Sequence, residues 1–158
     1  GLAVRQISLL EALEFRYFIE GNSVALAAQN RTDQEAEALQ GLLEALRNTV
    51  GDTTAFVQAD IAFHNALATA CKNTLVPIVI EGVAEVVRAS SEGGLRLLRS
   101  EKEWSEAFDV HVRITDAVVS QDAEEAKAAM RKHYEIAEAR LWRETEHRES
   151  TQASGAER

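Results

Sequence analysis

The chain of 158 residues is poor in the residues that staple or interrupt a fold: it has one cysteine, one proline, two tryptophans and two tyrosines. Cys71 alone forms no internal disulfide, and without CxxC spacing there is no thiolate zinc site, so the reducing cytoplasm is the expected location. No apolar run approaches the ~18 residues of a spanning helix, and no basic start followed by an apolar stretch marks a signal peptide, so no membrane partner is expected. Positive charge is short as well: 17 Lys and Arg face 26 Asp and Glu, and the net charge of -9 repels phosphate backbones at long range. These residues are not expected to bind nucleic acid themselves.

What the chain has in plenty is Ala, Leu, Glu and Arg, with apolar positions recurring every three or four residues, the pattern of an all-α protein of one domain. Helices are expected from about Val4 to Ala28, with Gly21 as a candidate bend, and from Asp33 to Asn48, opened by a capping box between Thr32 and Glu35. A third carries Phe56 to Ala70, a fourth runs from Leu75 to Ala89 with Pro77 in its first turn, and a fifth starts near Glu101. A second cap and box at Asp122 and Glu125 opens a long last helix. Ser90 to Gly94, with its paired glycines, reads either as a separator of two helices or as an interruption of one. Residues 1–150 form the domain, and 151–158, TQASGAER, a polar tail expected to fray.

Imidazoles are scarce, and three of the four stand in a suggestive pattern: Asp60 and His64 one helical turn apart in ADIAFH, His111 in FDVHVR and His133 in MRKHYE. Residues four apart share a helix face. His111 lies nine residues before a turn at Ser120 and Gln121, and His133 twelve residues after it. In an antiparallel hairpin, at ~1.5 Å per residue, the two rings fall at nearly the same depth. Each position has apolar neighbours, and a carboxylate with three imidazoles inside a core is costly unless paired. A divalent transition ion satisfies all four together, with zinc first and nickel or manganese also suited to three nitrogens and one oxygen. The alternative is that Asp60 simply hydrogen-bonds His64 and the other histidines are separate core or surface residues.

An ion with open positions would take a small organic acid, and an arginine is the natural partner for its carboxylate. Arg16, amid Leu13, Phe18 and Ile19, is the first candidate and Arg88 the second. Cys71 shares the azimuth of His64 but lies ~10 Å further along the axis and is left out of the ligand set. Trp104 and Trp142 are expected in helix packing or dimer contacts, and His147 in solvent. Two other readings stand beside an effector-binding domain: a structural or interaction module stabilised by its ion, and a small metal-dependent hydrolase or lyase. No acid or base outside the ligand set presents itself for catalysis, so the chain is not expected to be an enzyme.

The segments EALEFRYFIEGNSVALAAQNRTDQEAEALQ, DIAFHNALATACKN and FDVHVRITDAVVSQDAEEAKAAMRKHY, in that order, resemble the FCD domain, the helical ligand-binding domain of FadR-like regulators in the GntR family of bacterial transcription regulators. The resemblance implies an antiparallel bundle of six or seven helices, a metal held by Asp60, His64, His111 and His133, and an effector-facing arginine at Arg16. It gives Arg88 no comparable match. It further implies a homodimer, a small carboxylate effector, and DNA binding only through an amino-terminal winged helix-turn-helix that is not among these residues.

Overall fold

The computed structural model describes residues 7–156. Among them are seven helices and no strand: α1 (Leu9–Asn30), α2 (Asp33–Thr49), α3 (Thr53–Ala70), α4 (Leu75–Gly82), α5 (Ala84–Leu95), α6 (Glu101–Val119) and α7 (Ala123–Ala156). The expected start at Val4 lies outside the described residues. Within them α1 opens at Ser8, whose hydroxyl accepts from the Glu11 amide while the Glu11 carboxylate accepts from the Ser8 amide. The Thr32 box forms as expected, with bonds of 3.1 and 3.0 Å. At Asp122 only half of the box is made: its carboxylate accepts from the Glu125 amide at 3.1 Å, but the Glu125 side chain turns to Arg113.

Two expectations about helix ends are corrected. The segment from Leu75 does not run unbroken to Ala89; it turns at Val83 (φ -114°, ψ 22°), where Gly82 and the β-branched Val79, Ile80 and Val83 weaken helix propensity. Ser90 to Gly94 neither separates nor interrupts helices, because it lies inside α5. Its serines, which otherwise compete for nearby backbone, are occupied across the core by Arg16 and Asp60. Gly93 is the close-approach point with α1, since a Cβ there would stand 2.7 Å from a Leu9 methyl. As expected, α1 continues past Gly21, which leaves room for the Tyr17 ring, 2.7 Å from where its Cβ would be. Helix α7 continues through the segment expected to fray as far as Ala156, with the side chains of residues 151–156 exposed.

Helix α1 is central and packs on α3, α5, α6 and α7. Helices α2 and α3 form one hairpin, and α6 and α7, joined only by Ser120 to Asp122, return as the antiparallel hairpin that the register argument requires. Phe56, Phe63, Leu46, Ile114 and Met130 are fully buried where these helices meet. The inward face of α1 is partly polar: Arg16, Glu20 and Ser23 are buried, whereas Phe18, an apolar neighbour of Arg16 in sequence, is 77% exposed. Trp104 packs edge-on against Phe56, and Trp142 is half exposed.

The hairpin is tied to α1 by mutual capping. Arg31 donates from Nε to the Val118 carbonyl at 3.4 Å and from Nη2 to the Val119 carbonyl, while the Gln121 side-chain amide donates to the carbonyls of Ala28 and Gln29 at 3.1 and 3.2 Å. Replacing Arg31 by Ala removes the side-chain donor of the Val119 carbonyl, while Val118 keeps the Gln121 amide at 3.1 Å, and we expect a loss of about 1–3 kcal/mol, read from urea unfolding. A variant within ~0.3 kcal/mol of the parent would show the latch to be idle.

Candidate metal centre

Three helices deliver the ligand set. Asp60 and His64 come from one face of α3, His111 from α6 and His133 from α7, and one ligand atom of each lies within 4.8 Å of the others. The three imidazoles stand mutually edge-on with centroids 4.9 to 5.8 Å apart. Asp60 is the hub: its Oδ1 is 2.8 Å from His111 Nε2 and 3.3 Å from His64 Nε2, and its Oδ2 accepts from Ser91 at 3.0 Å.

Outer partners aim the rings. His64 Nδ1 donates to Glu20 at 2.5 Å and His111 Nδ1 to the Ala107 carbonyl at 2.6 Å, so both rings turn Nε2 toward the cluster. Phe63 packs edge-on against both rings, with centroids 5.8 and 5.0 Å away. Glu20 also accepts from the Tyr134 hydroxyl and pairs with Arg16, whose Nε is 3.4 Å away.

The charges of this buried network set one another. Burial opposes ionisation of Glu20, but His64 and Arg16 outweigh it and hold the carboxyl at about 2. Burial likewise disfavours a charged His64, and Glu20 and Asp60 overcome it, raising the ring to about 9. Asp60, despite its burial, is kept well below the usual carboxylate range by His64 and His111. His133 has no such help: burial, followed by the charges of His64 and His111, pushes it well below the ordinary histidine value. It is thus a neutral imidazole, the form that binds metal.

A cavity of about 40 Å³ adjoins the cluster, with Arg16, Ser90, Ser91 and Arg140 on its wall beside Asp60, His111 and His133. Arg16 donates from Nη1 to Ser90 and Ser91 at 3.4 and 3.3 Å. The buried side-chain polar atoms without a hydrogen-bond partner among the described residues are Arg16 Nε and Nη2, His64 Nε2, His133 Nδ1 and Arg140 Nε. All belong to this one region, and buried polar groups are rarely left unpaired. Three nitrogens and a carboxylate oxygen at this spacing suit a divalent transition ion, and the orphaned His64 Nε2, which faces Asp60, is one atom it would satisfy.

Of the residues singled out from sequence, the structure thus gathers Asp60, His64, His111, His133 and Arg16. Arg88 is not among them. Helix α5 turns Ser90 and Ser91 inward and Arg88 outward, where it is exposed on a separate groove beside Ile61 and Pro77. Cys71 is buried as the C-cap of α3, and His147 is exposed. Sequence reasoning missed Glu20, Tyr134, Ser90, Ser91 and Arg140. Two of these carry a signal in their spacing: Glu20 is one turn after Arg16, and Arg140 is two turns after His133 on the same face.

The fold and this cluster define a helical domain built around a buried metal-type ligand set. The FCD domain model matches residues 11–136, and the chain belongs to that family. It is 28% identical over 135 residues to the HTH-type transcriptional regulator LutR of Bacillus subtilis (strain 168), covering 84% of this chain and 62% of LutR. It is 30% identical over 124 residues to the putative L-lactate dehydrogenase operon regulatory protein of Escherichia coli (strain K12), covering 78% of this chain and 47% of that protein. Among solved structures, E. coli McbR/YncC superposes with a TM-score of 0.72 at 24% identity, over 85% of this chain and 64% of the other. The chain therefore spans less than two thirds of the length of each of these proteins.

Proposed function

We propose that this chain is the effector-binding and dimerisation domain of a GntR-family transcriptional regulator, cytoplasmic and without catalytic activity, that senses a small organic acid through a divalent metal and Arg16. The observation that carries this reading is that every orphaned buried side-chain atom among the described residues belongs to the Asp60–histidine cluster or to the cavity beside it. Zinc is the first candidate, with nickel or manganese next; once bound, the ion supplies a cation with open positions for a carboxylate oxygen. Arg16 is prepared for the same carboxylate, since Nη2 is buried without a hydrogen-bond partner while Nε faces Glu20, which holds the charge. Asp60, His64, His111 and His133 would hold the ion, and Ser91 connects Arg16 to Asp60. DNA would be reached only through an amino-terminal winged helix-turn-helix. The exposed Phe18, Leu75 and Ile78 offer apolar surface for a second copy in a homodimer.

L-Lactate is the first acid to try, because one relative is named for an L-lactate dehydrogenase operon. Calorimetric titration into the zinc-loaded chain is expected to show stoichiometric binding without turnover, and Arg16→Met to weaken it by about tenfold or more, the scale of a lost charge-assisted pair. In the full-length regulator, an operator affinity that does not change with the acid would sink the sensing role, and steady metal-dependent turnover would point to an enzyme instead.

A further inference from the structure

We propose that the acid taken by this cavity is a short dicarboxylate, and that Arg140 is the specificity-determining residue that receives its second carboxylate. This rests on the metal-and-acid reading above and narrows it to a class of ligand.

Arg140 is 6% exposed, lines the same cavity as Asp60, His111 and His133, and stands seven residues after His133 on α7. Seven residues are two turns, so the two side chains share a face about 10 Å apart along the axis. Helical side chains lean toward the N-terminus, which tilts the guanidinium back toward the cluster. Its hydrogen bond is a weak one: Nη1 donates to the Gly94 carbonyl at 3.3 Å, while Nε has no partner.

The other buried charges in the site are matched. Arg16 pairs with Glu20, Glu20 with His64, and Asp60 with His64 and His111. Arg140 has no ion pair with a carboxylate among the described residues; burial disfavours its charged form, and Glu103, Glu106 and Asp60 favour it only from beyond contact distance. A guanidinium nonetheless stays protonated, so an unpaired one inside a protein is expensive. A carboxylate entering the cavity would supply the direct contact that these more distant acids do not.

The balance with an ion in place says how much charge that is. A divalent cation held by one carboxylate and neutral imidazoles keeps one positive charge in excess, and Arg140 adds another, Arg16 being offset by Glu20. A monocarboxylate leaves one of these unanswered, whereas a dicarboxylate answers both. The rest of the wall is apolar at Leu13, Leu95, Val110 and Ile136, which suits a bare carbon chain, and the volume of about 40 Å³ keeps that chain short.

The test is calorimetry on the zinc-loaded chain with malonate, succinate and L-malate against acetate and L-lactate. The best dicarboxylate is expected to bind at least about tenfold more tightly than either monocarboxylate, and Arg140→Met to abolish that advantage while leaving L-lactate within about threefold. The ligand-free Arg140→Met protein is expected to melt at or above the parent's temperature, because an uncompensated buried charge has been removed; a purely structural role predicts a lower melting point. Arg140→Lys keeps the charge without the fork and is expected to retain part of the preference, which decides the matter if the methionine variant fails to fold. Equal binding of mono- and dicarboxylates by the parent, or an undiminished preference in Arg140→Met, would overturn the assignment and leave the metal-and-acid reading standing. Failure of every acid to bind the zinc-loaded parent would overturn both.

Discussion

Purified without a histidine tag and exposed to zinc, nickel or manganese, the chain is expected to retain about one ion, and a His64→Ala, His133→Ala double variant to retain none by elemental analysis. With the free ion about a thousandfold above its dissociation constant, binding to the folded state alone adds about 4 kcal/mol. For a chain of this length that raises the melting temperature by roughly 8–16 °C. Uptake is also pH-dependent. His64 is held at about 9 in the free protein by Glu20 and Asp60 against its burial, and a ligand imidazole is neutral. An ion arriving at pH 7 therefore displaces a proton, apparent affinity climbs as pH rises toward about 9, and the heat of binding varies with the ionisation enthalpy of the buffer. A parent that takes up none of the three metals would remove the centre and leave a helical domain with an unexplained cluster of orphaned atoms.

Glu20→Ala is expected to be the most damaging single change near the site, although Glu20 is not in the ligand set. It removes the acceptor for His64 Nδ1 and for the Tyr134 hydroxyl, and the counter-charge of Arg16, all of them buried. Stranding a buried charge in this way costs about 3–5 kcal/mol, or roughly 6–20 °C of melting temperature in a protein of this size. Metal affinity is expected to fall about 10–100-fold as well, since His64 loses the bond that fixes its ring. Glu20→Gln retains acceptor oxygen without the charge and should fall between the two.

The pH dependence of the intact protein provides a separate check. Burial would raise Glu20, but His64 and Arg16 depress it from 4.5 to about 2. Its stabilising contribution is accordingly complete above about pH 4.5 and is lost as pH falls toward 2. Melting temperatures of Glu20→Ala and the parent should converge through that window, and a gap that persists below pH 2 would show that packing, not charge, is at stake.

What could be read from sequence was whatever depends on local spacing. The i,i+4 pair of Asp60 and His64 and the distances of His111 and His133 from one turn are enough to bring four side chains together, because helix rise and a tight hairpin are nearly invariant. The Thr32 box follows from hydrogen bonds within four residues. What escaped was set by partners distant in the chain. Ser90 and Ser91 look like loop residues until Arg16 and Asp60 occupy their hydroxyls. Phe18 looks like core and Glu20 like surface, because an apolar stripe is assumed to face inward; in α1 the inward face is the wall of the site, and its polarity reverses the rule. Arg88 and Arg140 look alike in sequence, each an arginine on a helix with apolar neighbours. The direction of α5 after the turn at Val83 sends Arg88 outward; the weak helix propensity around Gly82 permits that turn, but no local pattern sets the direction α5 takes from it.

The seat of Leu9 over Gly93 acquires another meaning beside the serines that precede it. Ser91 touches Asp60 and Arg16, and Gly93, two residues on, bears the first turn of α1. These two points are about 3 Å apart along the axis of α5. With no side chain at Gly93, the first turn of α1 rests directly on α5 two residues from the serine that touches Asp60 and Arg16, so one short helix is at once a wall of the cavity and the seat of the bundle's first helix.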